Sequence, residues 1–420
     1  MTGSTDRGRR RRGYRAGLFC GALAALAAFP AIPQEGGPRL SFGIAIRAET
    51  GSNLALDVPA EGDTSELSTR LSFSLADETR TSRLSLDVSG ALAARDTPDG
   101  SEQGFENPAL RFAWGREGGR SSLDLTASLR ESELDALRAL VIDPDTGEIS
   151  EDLVGGGTQT QTAADLAWTF GQDEPWGLTL SAGATETTYR GDTPEPDTTR
   201  QRAAIRLRLA ADPLTEVTLG LRWSRFAQEG EDRRDTLRAE AGASRSLARG
   251  SLSASVFAEE TEDGTRSGLT LRRAVELPAG SLSYSLGVTR DTAGNTNLTG
   301  ALDWAQDLAR GKVTAGLRRS VTAGDDDEEV LATSLNLGLT QEIGPQTGLT
   351  LGLTAAESEE VATGLVTRNA AFSATLTQSL PQDWALDAGW RHRTRDEDGT
   401  GTATSDSVFL ELRRSFDWRP

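Results

Sequence analysis

The sequence predicts an all-β fold, a single transmembrane antiparallel up-and-down β-barrel of about twenty strands, within a range of roughly 18–22. Three observations predict it. Apolar residues recur at every second position in run after run between residues 39 and 418. The connections between runs alternate between short turns carrying Pro or Gly and longer polar, often acidic stretches. Most tryptophans lie near one end of their runs. Composition agrees. Apolar residues make up 36% of the 420, below the ~45–50% of globular domains. Low hydropathy with a net charge of −19 is otherwise the signature of disorder, but the period-two pattern opposes that. The basic residues are arginines except Lys312. The acidic balance excludes a nucleic-acid footprint.

The N-terminus reads as a leader. Arg7, Arg9, Arg10, Arg11, Arg12 and Arg15 precede the apolar run Ala16 to Phe29. A basic start, a short apolar run and small residues predict a secretory signal peptide over 1–33, cleaved between about 27 and 34. Ala25-Leu26-Ala27 is one cleavage motif. The run is shorter than the ~20 residues of a spanning helix. Cys20 lies inside it, behind Gly17-Leu18-Phe19, so a lipoprotein signal does not fit. Cleavage removes six arginines against one aspartate, and the remaining 34–420 barrel domain is more acidic still and free of cysteine.

The strands follow in order. Leu40, Phe42, Ile44 and Ile46 form the first run; Leu71, Phe73, Leu75 and Leu84, Leu86, Val88 come next. Leu110, Phe112, Trp114 and Leu123, Leu125, Ala127, Leu129 continue the series. Leu166, Trp168, Phe170 leads to Trp176, Leu178, Leu180, then to Ile205, Leu207, Leu209 and Val217, Leu219, Leu221, Trp223. The pattern persists through Leu282–Val288, Leu335–Leu339, Leu349–Leu353 and Trp384–Trp390 to Val408, Leu410, Leu412. Alternate residues of a strand face opposite sides, so each run has one apolar and one polar face. The short turns include 212–213, 249–250, 278–280, 310–311 and 344–345; the polar stretches include 50–63, 97–107, 131–157, 259–263, 324–329 and 396–405. Short turns at one end and long loops at the other is the layout of an outer-membrane barrel. Trp114, Trp168, Trp176, Trp304, Trp384 and Trp418 fall near the short-turn end, whereas Trp223 and Trp390 lie nearer the other. Tryptophan favours membrane interfaces because its ring is apolar and its N–H polar.

The chain ends "SVFLELRRSFDWRP". With alternating apolar residues and the aromatics Phe416 and Trp418, this tail resembles the C-terminal strand of Gram-negative outer-membrane barrel proteins. That resemblance implies recognition of Phe416 and Trp418 by the barrel-insertion machinery. It further implies an outer-membrane location, with lipid and lipopolysaccharide as surroundings. Arg419 and Pro420 extend past the pattern. Two arginines strain it: Arg414 shares parity with Leu412 and Phe416, and Arg273 with Leu271 and Val275. A lipid-facing Arg at mid-depth costs about 2–4 kcal/mol, falling to ~0–1 near the interface. Either these side chains snorkel or a bulge turns them inward.

The same parity names lumenal candidates. Arg206, Arg208, Arg222, Arg238 and Glu240 form one group; Asp387, Arg391, Arg393, Glu411 and Arg413 form another. Opposed charges lining a water-filled pore sort solutes by charge and size; a ladder that merely satisfies a polar interior is the plainer alternative. Acidic stretches, above all Asp325, Asp326, Asp327, Glu328 and Glu329, offer oxygen ligands for a loop-bound Ca²⁺ or Mg²⁺, though a solvated acidic face is the plainer reading and the favoured one. No other cofactor is expected. The single histidine, His392, has outward parity, so a Ser-His-acid site is not expected and the chain reads as no enzyme. A gated siderophore receptor fits poorly, because strands begin soon after the leader with no plug domain before them. The expected function is a channel for passive diffusion of small polar solutes. A closed structural or surface-interaction barrel acting through its loops is the first alternative. An export pore for a polysaccharide or protein secretion system is the second. The stretch Glu131–Gly157, with a short helix suggested over Leu134–Val141, is the expected constriction.

Overall fold

The computed structural model describes residues 37–419 apart from 61, 99, 134–140, 143–148, 151–155, 194 and 324–328. The leader, the Leu134–Val141 helix save its last residue, and most of the 325–329 acidic stretch lie outside the described residues. The strands are β1 (Arg39–Ser52), β2 (Asp63–Glu78), β3 (Ser82–Thr97), β4 (Gly100–Glu117), β5 (Ser121–Glu133), β6 (Val141–Ile142), β7 (Ile149–Ser150), β8 (Gly156–Phe170), β9 (Trp176–Asp192), β10 (Thr198–Asp212) and β11 (Thr215–Gln228). They continue as β12 (Arg234–Leu247), β13 (Gly250–Thr261), β14 (Gly264–Leu277), β15 (Gly280–Arg290), β16 (Thr296–Leu308), β17 (Gly311–Ala323), β18 (Glu329–Gly344), β19 (Thr347–Glu360), β20 (Val366–Ser379), β21 (Trp384–Glu397) and β22 (Gly401–Trp418).

Strands β6 and β7 pair with each other; the other twenty form one antiparallel sheet in sequence order. The sheet closes on itself where β1 pairs with β22, Leu40 opposite Trp418 and Phe42 opposite Phe416. Closure removes the unpaired edges that an open sheet presents. Both ends of the sheet's chain, Arg39 and Trp418, lie at one rim, here called the terminal rim. The connections there are short, such as 213–214 between β10 and β11 and 248–249 between β12 and β13. The opposite, distal rim carries the longer connections, including 53–62 and 134–155.

The apolar face of the alternation points outward. Phe42, Leu71, Phe73, Leu166, Trp168, Ile205, Leu221, Leu271, Leu286 and Leu410 are all exposed, Leu286 by 64%. A soluble monomer rarely exposes contiguous apolar patches beyond a few hundred Å², whereas lipid solvates such a belt. Backbone polar groups are satisfied within the closed ladder, as hydrocarbon demands. The lumenal face carries Ser, Thr, Arg and carboxylates. Most apolar side chains that are fully covered lie in the distal half: Leu56, Phe226, Val330, Leu331, Ala332 and Ala403.

The ladder runs further toward the distal rim than the polar stretches suggest. Residues 100–107, 259–261 and 401–405, expected in loops, belong to β4, β13 and β22. Beyond the lipid belt both faces of a strand meet water, so alternation disappears although pairing continues.

One irregularity redirects side chains. The β3–β4 register shifts between Ser89 and Ala91, where Asn107 has φ +51° and is followed by Pro108, which has no N–H to donate. A bulge is where a strand tolerates Pro. Parity in β4 inverts across it: Leu110, Phe112 and Trp114 hold the outward face on one side, Phe105, 61% exposed, on the other. Glu106 is thereby turned to the lumen.

The two strained arginines do not sit at bulges. Arg273 is opposite Leu252 and Tyr284 in unbroken ladders, and its guanidinium donates to the carbonyls of Ser251 (2.8 Å) and Arg249 (3.3 Å) at the terminal rim. Arg414 is opposite Trp384 and Ile44, again without a register shift. Both stay outward.

Candidate functional site

Register places the first lumenal group across three neighbouring strands. Arg222 on β11 is opposite Ala204 of β10 and Arg238 of β12, and Gly220 lies between Arg206 and Glu240. Strands about 4.8 Å apart bring these side chains into one patch, and Arg206, Arg222, Arg238 and Glu240 line a common cavity of about 140 Å³ with Thr179 and Ser181. A larger cavity of about 720 Å³ follows the lumenal wall from β10 to β18.

The members of the patch differ in how they are held. Arg238 pairs with Glu259 at 3.3 Å and Glu240 at 3.7 Å and lies over the Phe257 ring at 3.9 Å. Arg208 is committed to the fold: its guanidinium donates to the carbonyls of Gly171 (2.9 Å), Gln172 (3.1 Å) and Glu174 (3.2 Å) in the β8–β9 turn. Parity predicted its face but not this anchoring, because a turn folding back over a strand end leaves no sequence period. Arg206 and Arg222 have no carboxylate within 4 Å among the described residues.

Glu259, expected in an acidic loop, is instead lumenal and 6% exposed. It bridges Arg238 of β12 and Arg266 of β14. Arg266 reaches on to Glu329 at the head of β18, 3.5 Å away. The same carboxylate accepts from the backbone N–H (2.9 Å) and hydroxyl (2.7 Å) of Thr292. This chain of charges joins β14 to β18 above the β15–β16 connection. Glu329, one of the five acidic residues considered as cation ligands, is thus occupied by Arg266 and Thr292. Among the described residues no group of His, Cys, Asp and Glu is arranged to hold a metal.

The second group spans β21, β22 and β1. Asp387, 8% exposed, accepts from Arg413 at 2.7 Å and from the Thr377 hydroxyl at 2.5 Å. Glu411 lies 3.6 Å from Arg47, which also pairs with Glu49 at 2.7 Å and covers the Phe409 ring at 3.8 Å. Arg391 forms no ion pair within 4 Å among the described residues. Arg393 donates to the carbonyl of Leu54 and to Ser405. That contact belongs to an inward-folded connection, Asn53–Gly62. Asn53 donates to the Thr404 carbonyl at 3.3 Å, Leu56 is 2% exposed, and Ser405 and Ser407 beneath are 2% and 4% exposed. The expected constriction at 131–157 falls mostly outside the described residues; this shorter connection covers the wall near β21 and β22.

A third lumenal cluster was missed. Arg95 on β3 contacts Glu66 at 3.1 Å, Glu106 at 3.3 Å and Glu133 at 2.5 Å. Parity carried beyond the lipid belt finds Arg95 and Glu66, but the bulge hides Glu106. His392 does point outward, with its Nδ1 2.9 Å from Asp406 and Trp390 donating to the same carboxylate.

No protein-family model matches the sequence, and no curated protein does. Solved structures do. The siderophore receptor PirA from Pseudomonas aeruginosa superposes with a TM-score of 0.50 at 12% identity, over 92% of this chain and 81% of that one. PirA from Acinetobacter baumannii gives 0.50 at 8%, over 92% and 81%. Pseudomonas aeruginosa OccK2 gives 0.46 at 14%, over 92% and 100%. The fold is that of a Gram-negative outer-membrane β-barrel. At these identities the barrel likeness is one of architecture, and the lumen must be read from its own residues.

Proposed function

We propose that this barrel is an outer-membrane channel for passive diffusion of small polar solutes, reached by export under the N-terminal leader, with the terminal rim periplasmic. One observation carries the reading: Arg206 and Arg222 stand together on the lumenal wall without a carboxylate partner among the described residues, facing a water-accessible cavity. A polar interior needing only internal satisfaction would pair them, as it pairs Arg238 and Arg413. Charge inside a narrow lumen is screened less than on an open surface, so the patch favours anions locally despite the acidic chain. Lipopolysaccharide and the insertion machinery are the proposed neighbours on the outer face and at the tail, and loop-bound cations are proposed only for the 325–328 stretch. Liposomes containing the refolded chain should swell in isotonic solutions of small polar solutes and of small organic anions. Absence of swelling favours the second reading, a closed barrel acting through its loops, for which the inward-folded Asn53–Gly62 connection and the Arg266–Glu329 bridge speak.

A further inference from the structure

The lipid-facing belt holds a cation, flanked by aromatic rings, that the described residues leave unsatisfied. Arg414 faces outward on β22, at the seam where the barrel closes on β1. Its cross-strand partner Trp384 is the first residue of β21, so the guanidinium sits at the level of the terminal rim. It lies over the Phe416 ring at 4.4 Å and the Trp384 ring at 5.5 Å. Its Nε is buried and has no hydrogen-bond acceptor. No carboxylate and no carbonyl receives any of its N–H groups among the described residues. A guanidinium has five donors and stays charged. Rings attract the charge through their faces but accept none of those hydrogen bonds in the guanidinium plane.

Arg273 supplies the comparison. It has the same outward parity and a similar height above the terminal rim, and it is satisfied internally by the Ser251 and Arg249 carbonyls. The fold therefore can provide acceptors for an outward arginine at this level, and at Arg414 it does not. A guanidinium beside two aromatic rings, at the rim of the lipid-facing wall and without an acceptor of its own, is a planar fork of the kind that binds phosphate oxygens in pairs.

We propose that Arg414, flanked by Trp384 and Phe416, binds the phosphodiester of a glycerophospholipid in the leaflet at the terminal rim. The rings fix the guanidinium plane and contact the glycerol and first methylenes, while the phosphate neutralises the charge. The site rests on the barrel spanning a membrane but not on the lumen being open. It couples a lipid to the strand pair that closes the barrel.

The test is native mass spectrometry of the refolded full-length domain in detergent, titrated with phosphatidylglycerol, with diacylglycerol of the same chains, and with inorganic phosphate. Wild type should retain one phosphatidylglycerol in preference to diacylglycerol. Arg414→Gln should weaken that binding roughly tenfold or more, the scale of charge-assisted hydrogen bonds. Arg273→Gln should leave it unchanged. Heat-modifiable migration of each variant confirms folding; if Arg414→Gln does not fold, Trp384→Leu takes its place with the same expected direction. Equal retention by wild type and the folded variant, equal binding of diacylglycerol, or displacement by inorganic phosphate at matching concentration would each overturn the proposal. A variant that binds lipid normally yet fails to reach the outer membrane would also overturn it, assigning Arg414 to the insertion machinery. Failure of the barrel reading itself would show differently, as a chain folded and monomeric without detergent.

Discussion

Glu259 shows how burial ranks charges that look alike in the sequence. It is 6% exposed and shared by Arg238 and Arg266, whereas Glu240 has a 46% exposed side chain at 3.7 Å from Arg238. Removing the first takes the shared counter-charge from a covered site and leaves each arginine only its longer pair, Arg238 with Glu240 at 3.7 Å and Arg266 with Glu329 at 3.5 Å; removing the second loses a pair that water already screens. Glu259→Gln should lower unfolding stability in urea by about 1–3 kcal/mol, and Glu240→Gln by less than about 0.5 kcal/mol. Equal effects would mean that the distal cluster is as hydrated as the open wall. Arg208 and Arg206 divide in the same way. Arg208→Ser removes three carbonyl contacts to the β8–β9 turn, so thermal stability should fall while ion selectivity holds. Arg206→Ser should do the reverse.

Among the elements, β4 and β22 bear the sharpest consequences. Asn107 occupies the left-handed region, which Asn tolerates and β-branched residues do not. Asn107→Gly should fold normally, and Asn107→Val should cost on the order of 1–3 kcal/mol, read as a lower midpoint in detergent–urea refolding. Phe416 packs against Phe42 across the closing pair, ring centroids 6.3 Å apart, and Trp418 lies opposite Leu40. Replacing Phe416 and Trp418 together by Ala should lower outer-membrane levels and raise periplasmic degradation in pulse-chase. Unchanged levels would make the tail's aromatics incidental to assembly. These elements also mark what was legible beforehand. Strand number, outward parity and the closing strand could be read because lipid imposes a period of two on one face. The lumenal face of Arg206, Arg222, Arg238, Asp387 and Arg413 followed from the same period. Glu106, Glu259 and the Arg208 anchor did not. A bulge inverts parity without changing composition, a strand in water on both faces shows no period, and a folded-back turn is a tertiary event.

At the scale of the whole molecule, the account joins an apolar exterior to a charged interior through one alternation. The distal end is partly covered by the Asn53–Gly62 connection and by the bridge from Arg238 through Glu259 and Arg266 to Glu329. The wall nearer the terminal rim keeps Arg206 and Arg222 unpaired among the described residues. On the proposed channel reading, a solute entering from the distal rim would meet packed side chains first and a cationic patch second. The acidic chain as a whole opposes anions at long range, an effect that salt weakens beyond about 8–10 Å, while the patch acts at contact. The direct measurement is the reversal potential of single channels in a planar bilayer under a salt gradient, at low and at high salt. The wild type should conduct and become relatively more anion-favouring as salt rises, and Arg206→Ser with Arg222→Ser should shift the reversal potential toward cations, most clearly at high salt. A folded barrel that never conducts, or a conducting one whose reversal potential ignores the double substitution, would contradict the account.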